Sequence, residues 1–143
     1  MKTRIYIGLM LLVVASFLLA KLVLDKPQAQ NILRVDCADI GESCGNDLFT
    51  VRFLQKPQVM KPMGLKLHLN QSKNVRDVHA SFAMQGMEMG LNRYRLIPAD
   101  GDWQGEVTLP VCAQGRSDWN MLLEIELEGG VQRFLLPFTA SRN

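Results

Sequence analysis

The stretch GLKLHLN, residues 64–70, alternates apolar and polar side chains without interruption. Leu65, Leu67 and Leu69 fall on one phase of the alternation, and Lys66 and His68 fall on the other. Successive side chains of a β-strand point to opposite faces of the sheet. The pattern therefore predicts a strand with one face in an apolar core and the other face in solvent.

Six further segments continue this strand pattern along the chain. They are residues 48–54, 78–84, 92–98, 105–111, 119–127 and 131–139. Turn signals such as Asp100-Gly101-Asp102 and Gly129-Gly130 separate them. About seven short strands at roughly ten-residue spacing are typical of an antiparallel β-sandwich. The sequence therefore predicts a mainly β, immunoglobulin-like sandwich with no helix in this region.

The N-terminal region has a different composition. Residues 5–24 are predominantly apolar with a single charge, Lys21, near their end, and their length is about that needed to cross a bilayer. A cleavable secretory signal is the alternative, but the apolar run is longer than usual and no small-residue cleavage motif follows it. Because Lys2 and Arg4 precede the run, we expect a single transmembrane helix with its N-terminus inside. The rest of the chain would then lie in the periplasm of a bacterium.

These patterns predict that the chain divides into three parts. We expect an anchor over residues 1–26, a tether with two cysteines over residues 27–46, and the sandwich over residues 47–143. A chain of 143 residues with this division has room for one domain with a substantial core. The net charge of +2, without a dense basic stripe, argues against a nucleic-acid partner.

The three cysteines of the chain are Cys37, Cys44 and Cys112. Cysteines of a translocated domain tend to form disulfides or bind metal. Cys37 and Cys44 close a short loop that is easy to bridge, whereas Cys112 could equally join that loop to the body of the domain. We therefore predict one disulfide, in which Cys44 pairs with either Cys37 or Cys112.

Catalytic motifs are absent from the sequence. The two histidines, His68 and His79, both fall on the outward phase of their strands, and neither belongs to a nucleophile–base set. The acidic residues are scattered, and no glycine-rich phosphate loop is present. The sequence thus predicts a protein that is not an enzyme.

The stretch SFAMQGMEMGLNRYRL, residues 81–96, contains a cluster of methionines. Met84 continues the inward phase of Phe82, so we expect it in the core. Met87 and Met89 follow Gly86, which permits a bend, and two thioethers two residues apart can face the same side. Thioether sulfur is a soft, neutral ligand that suits Cu(I).

Two sulfurs alone would bind copper weakly, so this site needs a third ligand. The candidates are His79, Cys112, Met60 and Met63. Methionine also packs irregular cores and forms adaptable contacts with other proteins. The sequence therefore leaves metal binding by Met87 and Met89, contact with a partner and core packing as three open interpretations.

The segments FAMQGMEMG, NRYRL and GDWQGEVTLP, within residues 82–110, resemble the FixH-like and YtkA-like family of membrane-anchored periplasmic domains. The resemblance extends over the anchor and most of residues 47–139. It implies an accessory protein in the bacterial inner membrane, anchored through residues 5–24, that helps to assemble or metallate a haem–copper respiratory oxidase. Copper is the candidate cofactor, and the oxidase or its assembly factors are the candidate partners. The alternative is a metal-free structural or interaction subunit of a membrane complex.

Overall fold

The computed structural model describes residues 10, 12–17, 31–70, 74–87, 92–111 and 115–142. The chain divides into two compact units, residues 1–30 and residues 31–143. In the first unit the described residues, Met10 and 12–17, are helical. No helix among the residues that the structure describes is long and apolar enough to cross a membrane. Most of the predicted anchor, residues 5–24, lies outside those described residues.

The second unit is built of strands. They are β1 (Ile32–Arg34), β2 (Cys44–Gly45), β3 (Phe49–Phe53), β4 (Pro62–Leu69), β5 (Val75–Met84), β6 (Arg93–Ala99), β7 (Asp102–Thr108), β8 (Asp118–Leu127) and β9 (Gly130–Thr139). Strands β3 to β9 correspond to the seven predicted segments, so the prediction of a mainly β chain is confirmed. Strands β1 and β2 are additional.

The strands form one mixed sheet in the order β1-β9-β8-β5-β6-β7-β4-β3-β2. Strand β6 joins two halves of this sheet, because its residues 93–96 pair with β5 and its residues 97–99 pair with β7. Phe49 of β3 and Phe134 of β9 lie near opposite edges of the sheet, yet their ring centroids are 4.7 Å apart. The sheet therefore folds over at β6, and its two halves pack face to face.

An apolar core fills the space between the halves. The predicted inward residues of β4, Leu65, Leu67 and Leu69, are all buried, and Met63 extends the same face. The ring of Phe82 on β5 lies 6.2 Å from that of Phe53 on β3 and 6.2 Å from that of Phe138 on β9. No polar or charged residue is fully buried within the described ranges. Apolar contact between the halves is thus what holds the described domain together.

The turn between β6 and β7 consists of Asp100 and Gly101, and Ala99 pairs with Asp102 across it. Both turn residues have positive φ angles, 52° and 82°, as a two-residue type I′ hairpin turn requires. Because the turn is so tight, β7 begins at Asp102. The expected strand over 105–111 is therefore displaced, and the structure corrects its start by three residues.

Strand β1 corrects the prediction of a wholly antiparallel sheet, because it pairs with β9 in parallel. Beyond β1, the Val35 amide donates to the Leu135 carbonyl at 2.9 Å. The next bond of such a ladder would need an N–H from residue 137, which is Pro137 and has none. The chain leaves β9 at this point.

Residues 36–43, the crossing segment, then pass from the edge of one half to the edge of the other. Cys44 of β2 pairs with Val51 of β3, and the Phe53 amide donates to the Ile40 carbonyl at 3.2 Å. Ile40 is only 4% exposed and belongs to the core. The sheet therefore contains residues of the segment 27–46 that we expected to be a tether.

Candidate functional site

Met84 ends β5, and a tight turn follows it. Gly86 has a φ of 73°, and the Met87 amide donates to the Met84 carbonyl at 3.2 Å. Met84 is 2% exposed, as predicted, whereas Met87 is half-buried and packs against the core. Gly86 thus supplies the predicted bend, and the bend places Met87 at the margin of the core rather than fully in solvent.

Two more methionines precede or begin β4. Met63 is 2% exposed, and its sulfur accepts a hydrogen bond from the backbone amide of Gln58 at 3.1 Å. Met60 is 64% exposed and has a φ of 62°, with its amide donating to the Leu109 carbonyl at 2.8 Å. Of the two, Met60 is therefore the exposed residue and Met63 belongs to the core.

These methionines lie at one end of the folded sheet. Phe53 pairs with Leu65 on β4, two residues beyond Met63, and its ring contacts Phe82, two residues before Met84. The start of β4 and the end of β5 therefore meet across the core. We call this region, formed by Met60, Met63, Met84 and Met87, the methionine end.

His79 lies in the middle of β5, away from the turn that holds Met87. It lies five residues before Met84 on β5, about 16 Å along an extended strand. Strand alternation turns it away from the core, as predicted, and its cross-strand neighbours are Arg95 and Glu124. Alternation and strand length together separate the imidazole from the methionine sulfurs.

Two of the predicted ligands, Met89 and Cys112, lie outside the described residues. Within the described part of the chain, no three His, Cys, Asp or Glu side chains are grouped so as to hold a metal ion. Among the described residues of this end, methionine sulfur is therefore the available soft ligand. Met87 and Met60 are the described residues that could contribute it without disturbing the core.

Cys37 and Cys44 form a disulfide, with 5.4 Å between their Cα atoms. This pairing is one of the two left open for Cys44. Cys37 follows the β1–β9 ladder on one half of the sheet, and Cys44 lies in β2 on the other half. The disulfide therefore joins the two ends of the crossing segment, between the β9 edge of one half of the sheet and the β3 edge of the other.

An open groove of about 790 Å³ lies beside this disulfide. Its lining consists of residues 37–41 of the crossing segment, residues 53–57 at the end of β3 and after it, residues 137–141 at the end of β9, and Ser117. Its walls combine apolar side chains such as Leu54 with polar ones such as Lys56. Sequence reasoning missed the groove, because no single segment carries a signal for it.

A charged cluster lies on the outer face of the half of the sheet that contains β4 and β7. Asp102 accepts from Lys66 Nζ at 2.8 Å, and its second oxygen lies 2.6 Å from His68 Nδ1. The hydrogen bonds from Lys66 and then from His68 hold the pKa of the Asp102 carboxyl below its ordinary value of 3.8. The cluster is a cross-strand charge network rather than an acid–base pair in a cleft.

This network predicts an acid-dependent loss of stability. A carboxyl whose folded-state pKa is lowered stabilises the fold above its unfolded pKa, and the contribution disappears as the pH falls through the folded-state pKa. We expect Asp102→Asn to unfold with a smaller stability change between about pH 5 and about pH 2 than the parent protein. Urea unfolding at several pH values measures this, and Asp47→Asn is the matched control at an exposed carboxyl. Parallel pH profiles for the parent and Asp102→Asn would contradict the assignment.

No family model and no curated protein that we compared with this chain matches it. The resemblance to the FixH-like family therefore stays a prediction.

Proposed function

We propose that this protein is a membrane-anchored accessory protein that helps to assemble a haem–copper respiratory oxidase and is not itself an enzyme. The apolar residues 5–24, preceded by Lys2 and Arg4, support an anchor in the bacterial inner membrane. The Cys37–Cys44 disulfide supports a periplasmic location, because disulfides persist in oxidising compartments. The sequence resemblance described above supports the oxidase as partner.

The strand arrangement supports an immunoglobulin-like sandwich as the carrier of this function. One half has the order β3-β4-β7-β6, and the other has β5-β8-β9. A constant-type immunoglobulin domain places its first, second, fifth and fourth strands in one sheet and its third, sixth and seventh in the other. Numbered from β3, the seven main strands follow that order. Such sandwiches commonly present their loops at the two ends for binding.

Copper handling at the methionine end is the specific activity that we propose. The observation that carries it is the position of four methionines in segments that meet at one end of the sandwich. Met63 and Met84 are committed to the core, but Met87 lies at its margin and Met60 lies in solvent. Thioethers of this kind suit Cu(I) in a compartment where thiols are often oxidised. We propose Met87 and Met89 as the central ligand pair.

A metal-free interaction subunit is the second candidate, and exposed apolar side chains favour it. Leu54, Met60 and Val111 are 49%, 64% and 58% exposed. Leu54 directly follows Phe53. Val111 lies two residues beyond Leu109, whose carbonyl accepts from the Met60 amide. These exposed side chains are therefore close in sequence to residues of the methionine end. Apolar residues grouped at one end of a domain are a feature of protein contact surfaces.

Anaerobic Cu(I) titration against a competing chelator separates the two candidates. We expect the full-length protein to bind Cu(I), and Met87→Leu/Met89→Leu to bind it at least tenfold more weakly. Losing outer-shell partners alone costs about 10–100-fold in metal affinity, so losing two direct ligands should cost no less. Leucine keeps the bulk and the apolar character while removing sulfur.

Met121→Leu is the matched control, because Met121 is fully buried on β8 and should not contribute to binding. We expect it to retain the parent affinity. An unchanged affinity in the double variant would show that copper binds elsewhere. Absence of Cu(I) binding in the parent protein would leave the metal-free interaction subunit as the function.

A further inference from the structure

The disulfide offers only one of its two sulfurs to the groove. Cys37 is half-buried and lines the groove. Cys44 is 2% exposed, lies in β2 and does not line it. Thiol–disulfide exchange requires a thiolate to reach one sulfur, so access decides which sulfur is attacked. A thiolate in the groove would meet Cys37.

The groove also holds an unengaged positive charge. Lys56 lines it and makes no hydrogen bond or ion pair with the residues that the structure describes. The negative charge nearby is Asp39, whose carboxylate accepts from the Gly41 amide at 2.7 Å. A neighbouring ammonium favours the thiolate form of a thiol. Lys56 is therefore suited to activate an incoming cysteine.

The size and walls of the groove fit a polypeptide better than a small thiol. Its volume of about 790 Å³ is far larger than a small thiol fills, and the groove is open rather than enclosed. The exposed Leu54 offers apolar contact on one wall, and the end of β9 forms the opposite wall. Because Pro137 has no N–H there, the ligand would be held by side-chain contact rather than by extending the sheet.

We propose that this groove is the docking site of a thiol-bearing polypeptide, whose thiolate attacks Cys37 Sγ. The partner class is a reduced dithiol protein. A bond forms between the partner's sulfur and Cys37 as the Cys37–Cys44 bond breaks, and Cys44 leaves as a thiolate that takes a proton. The partner's second thiolate then attacks its own bonded sulfur and releases Cys37 as a thiolate, which is protonated. The disulfide gains two electrons, and the partner's dithiol loses two.

The site of attack is tested on the full-length oxidised protein carrying Cys112→Ser, which removes the third thiol. The probe is a reduced peptide with one cysteine between apolar residues. After acid quenching and alkylation, peptide mapping by mass spectrometry identifies which cysteine carries the probe. We expect the probe on Cys37 and the alkyl group on Cys44. Probe attached mainly to Cys44, or equally to both, would overturn the proposal.

Docking and charge are tested by kinetics in the same background. With the peptide, we expect the exchange rate to saturate as its concentration rises, whereas with 2-mercaptoethanol it should rise linearly. Lys56→Gln should slow the peptide reaction about threefold at low salt, and the effect should shrink as salt is added. Lys61→Gln is the matched control, an exposed lysine in the same loop that does not line the groove. Linear kinetics for both thiols, or equal rates in the two lysine variants, would overturn the proposal.

Discussion

Replacing Phe82 by alanine is expected to lower the free energy of unfolding by about 3–5 kcal/mol. Phe82 lies on β5 in one half of the sheet, and its ring contacts Phe53 in the other half as well as Phe138 beside it. Removing the ring would leave a cavity between the halves, where rigid strands relax only in part. Urea unfolding followed by tryptophan fluorescence measures the loss, since Trp119 is fully buried in the same core.

The matched control for this substitution is Ile97→Thr on β6. Ile97 is 60% exposed, and threonine keeps the β-branched shape, so we expect a change within about 0.5 kcal/mol. Phe82→Leu should lie between the two variants, because leucine refills part of the cavity. If Phe82→Ala cost no more than Ile97→Thr, the ring would not join the two halves.

Removing the disulfide with Cys37→Ala/Cys44→Ala is expected to cost about 2–3 kcal/mol, the entropy of closing a short loop in the unfolded chain. The two cysteines are seven residues apart, so the loop is short, but it bridges the edges of the two halves. We therefore expect the loss of order to begin locally. The Phe53 amide, which donates to Ile40 of the crossing segment, should lose hydrogen-exchange protection before amides of β8 do.

Cys37→Ala alone is the control for packing, because it breaks the disulfide while keeping the sulfur of the buried Cys44. We expect it to lose nearly as much stability as the double variant. Equal stability of the parent and both variants would mean that backbone pairing alone holds the crossing segment. Hydrogen exchange with detection by mass spectrometry reports both the global and the local effect.

Alternation of side chains was sufficient to predict the seven main strands. Strands β3, β4, β5, β8 and β9 bury alternate residues, and Leu65 and Leu67 of β4 show this pattern directly in the sequence. Strands β6 and β7 bury one residue each. Strands β1 and β2 carry no such signal, because they are three and two residues long and all of β1 is exposed. Backbone bonds to β9 and β3 hold them, and such bonds leave no trace in the hydrophobic pattern.

The candidate site was predictable only where local geometry determined it. The inward phase reached Met84, and Gly86 allowed the bend, so both outcomes followed from adjacent residues. His79 was selected for its chemistry, but a strand holds it away from the turn. The groove beside Cys37 depends on pairings between segments up to about a hundred residues apart, which arise only when the sheet closes.

Pro137 has a consequence for how copies of this protein behave in a crowded compartment. Beyond Leu135, β1 no longer covers the edge of β9. An uncovered strand edge is a template on which a second chain can add its own strand, and repeated addition leads to fibrils. A proline at that edge withholds the amide that such growth requires. The same residue that ends the β1–β9 ladder therefore also disfavours the addition of a foreign strand at this edge.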